Sequence, residues 1–128
     1  MHRLFVYGSL KTGLSNGFRL REALCLERDA VAEGFGLIRY VAGYPGLTPE
    51  VGRSARGELF LVDNDLLAEL DRFEECPEIY FREKIVVRLP DGARVEAFAY
   101  IATDGAGFEA DSRDLWEPPA SLIPFEER

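Results

Sequence analysis

The sequence predicts an α+β fold in which a small, mixed and strongly curved β-sheet or barrel is flanked by short helices. About five segments are rich in β-branched and aromatic residues, whereas only two short segments space their apolar residues at the helical period. The length of 128 residues and an apolar share of 47% fit one hydrophobic core. We therefore expect a single domain over residues 1–128 and exclude two full domains.

Net charge and hydropathy narrow the choice of partners. Fifteen basic and 23 acidic residues give a formal net charge of −8, which repels phosphate backbones when it is evenly spread, so a nucleic-acid partner is disfavoured. No apolar run reaches the roughly 18 to 20 residues that cross a bilayer, and Gly8 interrupts the start too soon for a secretory signal. We expect a soluble cytoplasmic protein without a membrane partner, as a monomer or weak homodimer.

Histidine and cysteine are too scarce for several kinds of chemistry. His2 is the only histidine and is expected at a frayed amino terminus, which excludes a Ser-His-Asp triad, a Cys-His pair and a His-rich zinc site. Cys25 and Cys76 could form at most one bridge, and we interpret both as reduced thiols that pack in the core. Any catalysis must then use carboxylates, hydroxyls or backbone groups.

The first quarter of the chain predicts a strand, a loop and a helix. Leu4–Tyr7 is a short apolar run that ends at a glycine, as a buried strand does. Gly8–Gly17 is rich in Gly, Ser, Thr and Asn and is predicted to be a loop. Leu20 and Leu24 are four residues apart, which predicts a short helix over Phe18–Cys25.

The middle of the chain predicts two further strands. Ala30–Val41 alternates imperfectly, and its Gly34 and Gly36 indicate a bulge or a close approach of other backbone. The chain is predicted to turn at Tyr44–Gly46. Arg56–Val62 places apolar side chains on both faces, which is typical of a strand that is covered on both sides.

A second helix is predicted next. Asp63 or Asn64 offers a side-chain oxygen as its N-cap, and residues Leu66–Glu75 follow at the helical period. Because Pro77 cannot continue the helix, the helix is expected to stop by about Cys76.

The last third predicts a hairpin and a tail. Tyr80–Leu89 and Arg94–Ile101 are β-rich runs joined by a Pro-Asp-Gly turn. After Ala102 the glycines and prolines predict an irregular tail from about residue 103. Either it wraps around the domain, anchored by Trp116 and Phe125, or it is partly mobile.

Glu74 is the strongest candidate for chemistry. On a helical wheel it falls between Leu70 and Leu67, so the carboxylate lies inside the apolar stripe of the predicted helix. Desolvation and the negative end of the helix dipole should raise its pKa, as in a general acid or base that works near neutrality. The alternative is that Glu74, in the last turn, extends to water and has no role.

The passage from the first strand into the loop is a second candidate. Gly8 allows a sharp turn, so the following amides of Ser9 and Leu10 can converge on an anion or a developing oxyanion. A phosphate-binding Walker loop is excluded because Leu10 stands directly before Lys11, where that motif needs glycine. The alternative is a plain connecting loop.

Hydroxyl and thiol groups give weaker candidates. Ser9 and Cys76 are possible nucleophiles, but neither has a histidine to activate it. Cys76 also lies at the carboxyl end of the predicted helix, where the helix dipole raises the pKa of a thiol. Tyr7, Tyr80 and Tyr100 belong to predicted strands and could offer hydroxyls to a pocket, or simply pack as core aromatics.

Together these motifs resemble the gamma-glutamylcyclotransferase-like family, and the gamma-glutamylamine cyclotransferase branch most. The resemblance runs in order from Leu4 to about Ile101. It is carried by Phe5-Val6-Tyr7-Gly8-Ser9-Leu10, by Lys11, Gly13 and Asn16, by Gly57-Glu58-Leu59-Phe60, and by Leu70-Asp71-Arg72-Phe73-Glu74-Glu75-Cys76-Pro77 with Tyr80 and Arg82.

The resemblance implies a small β-barrel with flanking helices and a pocket floored by the loop after the first strand. It implies that the Tyr7–Leu10 backbone binds the glutamyl part of a substrate and that Glu74 accepts a proton. The reaction implied is intramolecular aminolysis that releases 5-oxoproline and a free amine, with no metal, nucleotide or covalent intermediate. This chain has Glu75 where the family often has glycine, which can alter the helix end and the pocket rim.

Two other functions stay open at this point. A binding module of the same fold would keep the pocket without turnover, and a protein-interaction domain would use the acidic surface and the proline-rich tail. The leaving amine is also open between a peptide, a gamma-glutamyl-lysine remnant and a gamma-glutamyl-protected amine.

Overall fold

The computed structural model of the chain forms a closed β-barrel with one α-helix packed on its outside. It describes residues 1–40, 43–103, 108–110 and 113–118. The elements are β1 (His2–Val6), a 3-10 turn (Gly17–Leu20), β2 (Leu24–Tyr40), β3 (Pro45–Val62), α1 (Asn64–Phe73), β4 (Tyr80–Arg88), β5 (Arg94–Ala102) and β6 (Phe108–Ala110).

Five strands close the barrel in the order β3-β1-β5-β4-β2, and β2 pairs again with β3. β1 and β5 are parallel, with Leu4 opposite Phe98, whereas the other pairs are antiparallel. β6 extends the sheet on β2, with Ile38 opposite Ala110. The predicted mixed, strongly curved sheet or barrel is confirmed.

Two hydrophobic clusters explain why the segment Leu4–Tyr7 is apolar on both faces. Phe5 and Tyr7 point into the barrel, whereas Leu4 and Val6 point outward to the layer beneath α1. In β3, Leu59 likewise belongs to the inner cluster and Phe60 and Val62 to the outer one, so the prediction of a strand covered on both sides is confirmed.

The helix α1 completes the outer cluster. Asp63 is its N-cap, and its carboxylate accepts a hydrogen bond from the Leu66 amide at 2.8 Å. Leu67 and Leu70 are its buried residues. The helix begins and ends two residues earlier than predicted, so Glu74 becomes the C-cap rather than an interior residue.

The helix predicted over Phe18–Cys25 is wrong. In this region Gly17–Leu20 form a single 3-10 turn. Leu24 and Cys25 already belong to β2, where they lie opposite Leu61 and Phe60. Two leucines four residues apart give a weak helical preference, and the hydrogen bonds of a barrel-closing strand pair outweigh it.

β2 and β3 are much longer than predicted. The register shifts between Glu33 and Phe35, where Gly34 has a φ of +81°, so the predicted bulge is confirmed. The predicted turn residues Pro45 and Gly46 instead begin β3. Proline is tolerated as the first residue of a strand, where its missing amide costs no ladder bond.

The amino terminus and the described part of the tail are more ordered than predicted. His2 is the first residue of β1, and its ring contacts the side-chain oxygen of Asn64 rather than fraying. The tail is not wholly irregular, since residues 108–110 form β6. Trp116 is 1% exposed in the barrel core, so it is the predicted anchor, whereas Phe125 lies outside the described residues. No helix of the described ranges is both long and apolar enough to span a bilayer.

Gly57 permits β3 to pack closely on β1, and this gives a first prediction. A Cβ there would lie against the carbonyl oxygen of Val6 and 2.8 Å from the Phe5 ring. We expect Gly57→Ala to lower the free energy of unfolding in urea by about 3 kcal/mol. Gly92→Ala is the control, because Gly92 has a φ of +89° but open space around it, and should cost only about 1 kcal/mol. Equal losses would contradict close packing at Gly57.

Candidate active site

A cavity of about 450 Å³ lies where the end of β1, the start of β3 and the end of α1 meet. All the residues predicted to form the site line it, although their roles remain predictions. Its lining residues are Phe5, Val6, Tyr7, Gly8, Ser9, Leu10, Asn16, Tyr44, Pro45, Phe73, Glu74, Glu75, Ile79, Tyr80 and Tyr100.

The strand pairing brings these residues together. Because β1 and β5 are parallel, both end at the same end of the barrel, and the Tyr7 hydroxyl donates a hydrogen bond to the Tyr100 carbonyl oxygen at 2.6 Å. β4 runs antiparallel to β5, so its first residue, Tyr80, starts at that same end. The cavity therefore sits over the carboxyl ends of two strands and the beginning of a third.

Glu74 is held at the carboxyl end of α1 and is partly buried. Its amide donates to the Leu70 carbonyl oxygen at 2.8 Å, which fixes the backbone. Burial raises the pKa of its carboxyl to about 7, and the guanidinium of Arg19 opposes that rise. Within the described ranges the carboxylate has no hydrogen-bond or ion-pair partner. Glu74 can therefore gain or lose a proton near neutrality and can bind a ligand without first breaking a contact.

The loop after β1 lines the cavity, and two of its amides have no acceptor among the described residues. The Lys11 amide donates to the Gly8 carbonyl oxygen at 3.0 Å, which curls the loop. The amides of Ser9 and Leu10 donate to no described residue. Hydrogen bonds from Asn16 hold Ser9 in place, through its carbonyl and hydroxyl oxygens at 2.9 Å each. Successive free amides in one concavity are an anion-binding arrangement.

The absence of a side chain at Gly8 also leaves room for the start of β3. A Cβ at this position would lie 2.6 Å from the Pro45 ring, which forms part of the cavity wall. A side chain at Gly8 would therefore displace the start of β3 as well as cover the loop amides.

Four tyrosines line the cavity, and three of them, Tyr7, Tyr80 and Tyr100, have their hydroxyl protons engaged within the protein. Tyr7 donates to the Tyr100 carbonyl oxygen, Tyr80 to that of Pro45 at 2.6 Å, and Tyr100 to the Asp71 carboxylate at 2.8 Å. Burial raises the pKa of the Tyr7 and Tyr100 hydroxyls, so both stay neutral. None of the three can give a proton to a bound carbonyl without losing a buried partner.

Asp71 supports the cavity from outside its lining, through Tyr100, and sequence reasoning missed this role. Its carboxylate accepts hydrogen bonds from the Tyr100 hydroxyl and from Nε of Arg82, each at 2.8 Å, and thereby ties α1 to the barrel. The three-residue spacing from Glu74 was the available signal, since it places both carboxylates on one side of the helix. On the helical wheel, however, Asp71 lies outside the apolar stripe.

The two possible nucleophiles are not activated in the structure. Burial, with Asp71 nearby, raises the pKa of the Cys76 thiol to about 11, so the thiol stays protonated at neutral pH. The Ser9 hydroxyl has Asn16, which is not a base, as its side-chain partner. No cluster of three or more His, Cys, Asp or Glu in the described part of the chain could hold a metal ion.

The chain leaves α1 through a left-handed residue. The Cys76 amide donates to the Asp71 carbonyl oxygen and the Glu75 amide to that of Arg72, the paired bonds of a Schellman helix end. This motif needs a positive φ after the C-cap, and Glu75 has a φ of +54°. Glycine adopts this conformation freely, whereas another residue costs about 1 kcal/mol or more.

Comparison with known proteins identifies a family. Residues 4–118 match the family model described as "Gamma-glutamyl cyclotransferase, AIG2-like". "Gamma-glutamylaminecyclotransferase B" of Danio rerio is 34% identical over 119 residues, which cover 80% of this chain and 60% of that protein. "Gamma-glutamylaminecyclotransferase" of Homo sapiens is 35% identical over 99 residues, which cover 70% of this chain and 63% of that protein. The chain thus spans less than two thirds of the length of these relatives.

Solved structures support the same assignment of the fold. The crystal structure of an AIG2-like protein from Mus musculus superimposes with a TM-score of 0.70 at 28% sequence identity. The superposition covers 94% of this chain and 97% of the mouse chain.

The raised pKa of Glu74 predicts a stability that depends on pH. Since the folded pKa is about 7 and an unfolded carboxyl titrates near 4.5, the folded state binds more protons between these values and loses stability as the pH rises through them. We expect Glu74→Gln to raise the free energy of unfolding by about 1 to 3 kcal/mol at pH 8 and hardly at pH 5.

Urea unfolding at both pH values checks this expectation. Glu69→Gln, on an exposed position of α1, removes the same charge and should change stability equally at pH 5 and pH 8. The same change for Glu74→Gln at both pH values would show that its pKa is not raised.

Proposed function

Since the chain belongs to the gamma-glutamyl cyclotransferase, AIG2-like family, we propose that it is a cyclotransferase that converts gamma-glutamyl amines to 5-oxoproline and the free amine. The observation that carries the proposal is Glu74. A partly buried carboxylate with a pKa near neutrality and no partner among the described residues lines the same cavity as two free backbone amides. A proton acceptor and an anion cradle are the two groups that this reaction needs.

The reaction is an intramolecular aminolysis. Glu74 takes a proton from the α-ammonium group of the gamma-glutamyl substrate, and the freed amine attacks the γ-carbonyl carbon of the same molecule. The tetrahedral intermediate collapses as the bond from this carbon to the leaving nitrogen breaks. Glu74 returns the first proton to the leaving nitrogen and then passes on to it the second proton, which the attacking nitrogen loses, so that the five-membered lactam and a protonated amine are formed.

The pKa of Glu74 suits the first step. The α-ammonium group of an amino acid with a free α-carboxylate has a pKa above the value of about 8 for a peptide amino terminus, whereas an ordinary Glu titrates near 4.3. A carboxyl pKa of about 7 narrows this gap by roughly 2.7 units, or about 3.7 kcal/mol. Desolvation of Glu74 thus removes a large part of the cost of generating the nucleophile.

The loop amides supply the second requirement. The hydroxyl protons of Tyr7, Tyr80 and Tyr100 are donated within the protein, whereas the Ser9 and Leu10 amides remain available as donors for a substrate carboxylate or a developing oxyanion. By holding the glutamyl chain folded, they bring its amine onto its own carbonyl. Such proximity is worth several kcal/mol in intramolecular reactions.

Replacing the proton acceptor tests this role. We expect Glu74→Gln to lower kcat for a panel of gamma-glutamyl amines by at least about 100-fold, because it keeps the shape but removes the base. Binding measured by calorimetry should survive, and Glu69→Gln should leave both unchanged. Unimpaired 5-oxoproline release by Glu74→Gln would reject Glu74 as the base. If the wild type binds these amines but releases no 5-oxoproline, the protein is a binding module.

The pH profile gives an independent prediction. The acidic limb of kcat/KM should follow ionisation of Glu74 near pH 7, because the carboxylate form is the base. Arg19 favours that form, so Arg19→Gln should move the limb to higher pH by roughly half a unit. Arg21→Gln, whose side chain is 76% exposed, should leave the limb in place. A shift to lower pH, or equal shifts in both variants, would contradict the assignment.

A further inference from the structure

One carboxylate of the cavity has no part in the proposed reaction. Glu75 lines the cavity next to Glu74, but it is exposed and therefore belongs to the rim. Neither an ion pair nor a hydrogen bond to its side chain occurs within the described ranges. The charge of Glu75 thus meets whatever molecule passes or fills the open side of the cavity.

The backbone at Glu75 gives a reason to look for a role. The residue has a φ of +54°, in the left-handed region where glycine is the residue best suited. A side chain in a sparsely populated conformation at the rim of a cavity points to a function when nothing in the fold requires that side chain. Among the described residues, the side chain of Glu75 makes no hydrogen bond or ion pair that would stabilise the helix end.

The charges of the cavity do not balance those of a gamma-glutamyl group. Glu74 and Glu75 are the charged side chains among its lining residues, and both are acidic. The α-ammonium of the substrate matches Glu74, and its α-carboxylate matches the amides of Ser9 and Leu10. Once the glutamyl head is bound there, the amine portion extends through the open side, past Glu75. One negative charge remains without a counterpart, on the leaving-group side.

We infer that Glu75 is a specificity-determining residue and that the preferred leaving amine carries a second, cationic amino group. The substrates would be mono-gamma-glutamyl conjugates of diamines, without a carboxylate on the amine portion. This inference rests on the proposed function, because it takes the position of the glutamyl head from that reaction.

Three substrates of equal length test the inference. They are gamma-glutamyl conjugates of a four-carbon chain that ends in an ammonium, a methyl or a carboxylate group. Wild-type kcat/KM should fall in that order, with a threefold to fivefold step between ammonium and methyl, about the effect of an exposed ion pair. The step should shrink in concentrated salt, because exposed charges are screened.

Two variants separate the local charge from the net charge. Glu75→Gln should abolish the ammonium-to-methyl preference, chiefly by lowering kcat/KM for the ammonium substrate. Glu69→Gln also removes one negative charge, from an exposed position of α1, and should keep the preference. Equal rates for the three substrates on the wild type, or loss of the preference in both variants, would overturn the inference.

The same three compounds distinguish failure of the cyclotransferase proposal from failure of the specificity inference. If the wild type releases 5-oxoproline from none of the three compounds, the cyclotransferase proposal is wrong. The charge preference is then decided by the dissociation constants of the same compounds, measured by calorimetry on wild type and Glu75→Gln. The wild type should bind the ammonium compound most tightly, then the methyl compound, then the carboxylate compound, and Glu75→Gln should lose the preference for ammonium over methyl. This result would support the role of Glu75 at the rim, and any other order of affinity would refute it.

Discussion

The parallel pairing of β1 with β5 is the constraint from which the geometry of the site follows. In an otherwise antiparallel barrel, this pair makes two strands end at the same rim, which brings the loop after β1 beside Tyr100. The outward side chains Leu4 and Val6 then provide the apolar surface on which α1 packs. Since α1 lies across that surface, its carboxyl end and Glu74 come to the rim as well. Strand direction, and not the loop sequence alone, thus assembles the cavity.

The two carboxylates at the end of α1, Asp71 and Glu74, differ in their hydrogen-bond partners. Asp71 has two hydrogen-bond donors, Tyr100 and Arg82, and links helix and barrel. Glu74, three residues later, has none among the described residues, and its charge is disfavoured by burial. Two carboxylates on one helix face are therefore driven to different behaviour, one structural and one titrating near neutrality. This division is a common way for a protein to produce a usable acid or base.

Features set by nearby residues could be predicted from the sequence, and those set by distant strands could not. The position of Glu74 depends on helical periodicity and on Pro77, both of which are local. The hairpin of β4 and β5 depends on its own turn and was also predictable. In contrast, the helix proposed near Leu24 fails because Leu61, far along the chain, pairs with that residue. The role of Asp71 was hidden for the same reason, since Tyr100 and Arg82 reach it from other strands. A positive φ at Glu75 could not be inferred from a residue type that rarely adopts it.

The engaged tyrosine hydroxyls have a consequence for the design of inhibitors. A phenol has one proton, and Tyr7, Tyr80 and Tyr100 each give theirs to an oxygen of the protein. A compound that presents carbonyl or sulfonyl oxygens to these three hydroxyls finds no free donor in them and loses the water that solvated those oxygens. The loop amides are the better match for an acceptor, and Glu74 is the better match for a protonated nitrogen. A compact zwitterion carries both groups, whereas a neutral heterocycle carries neither charge.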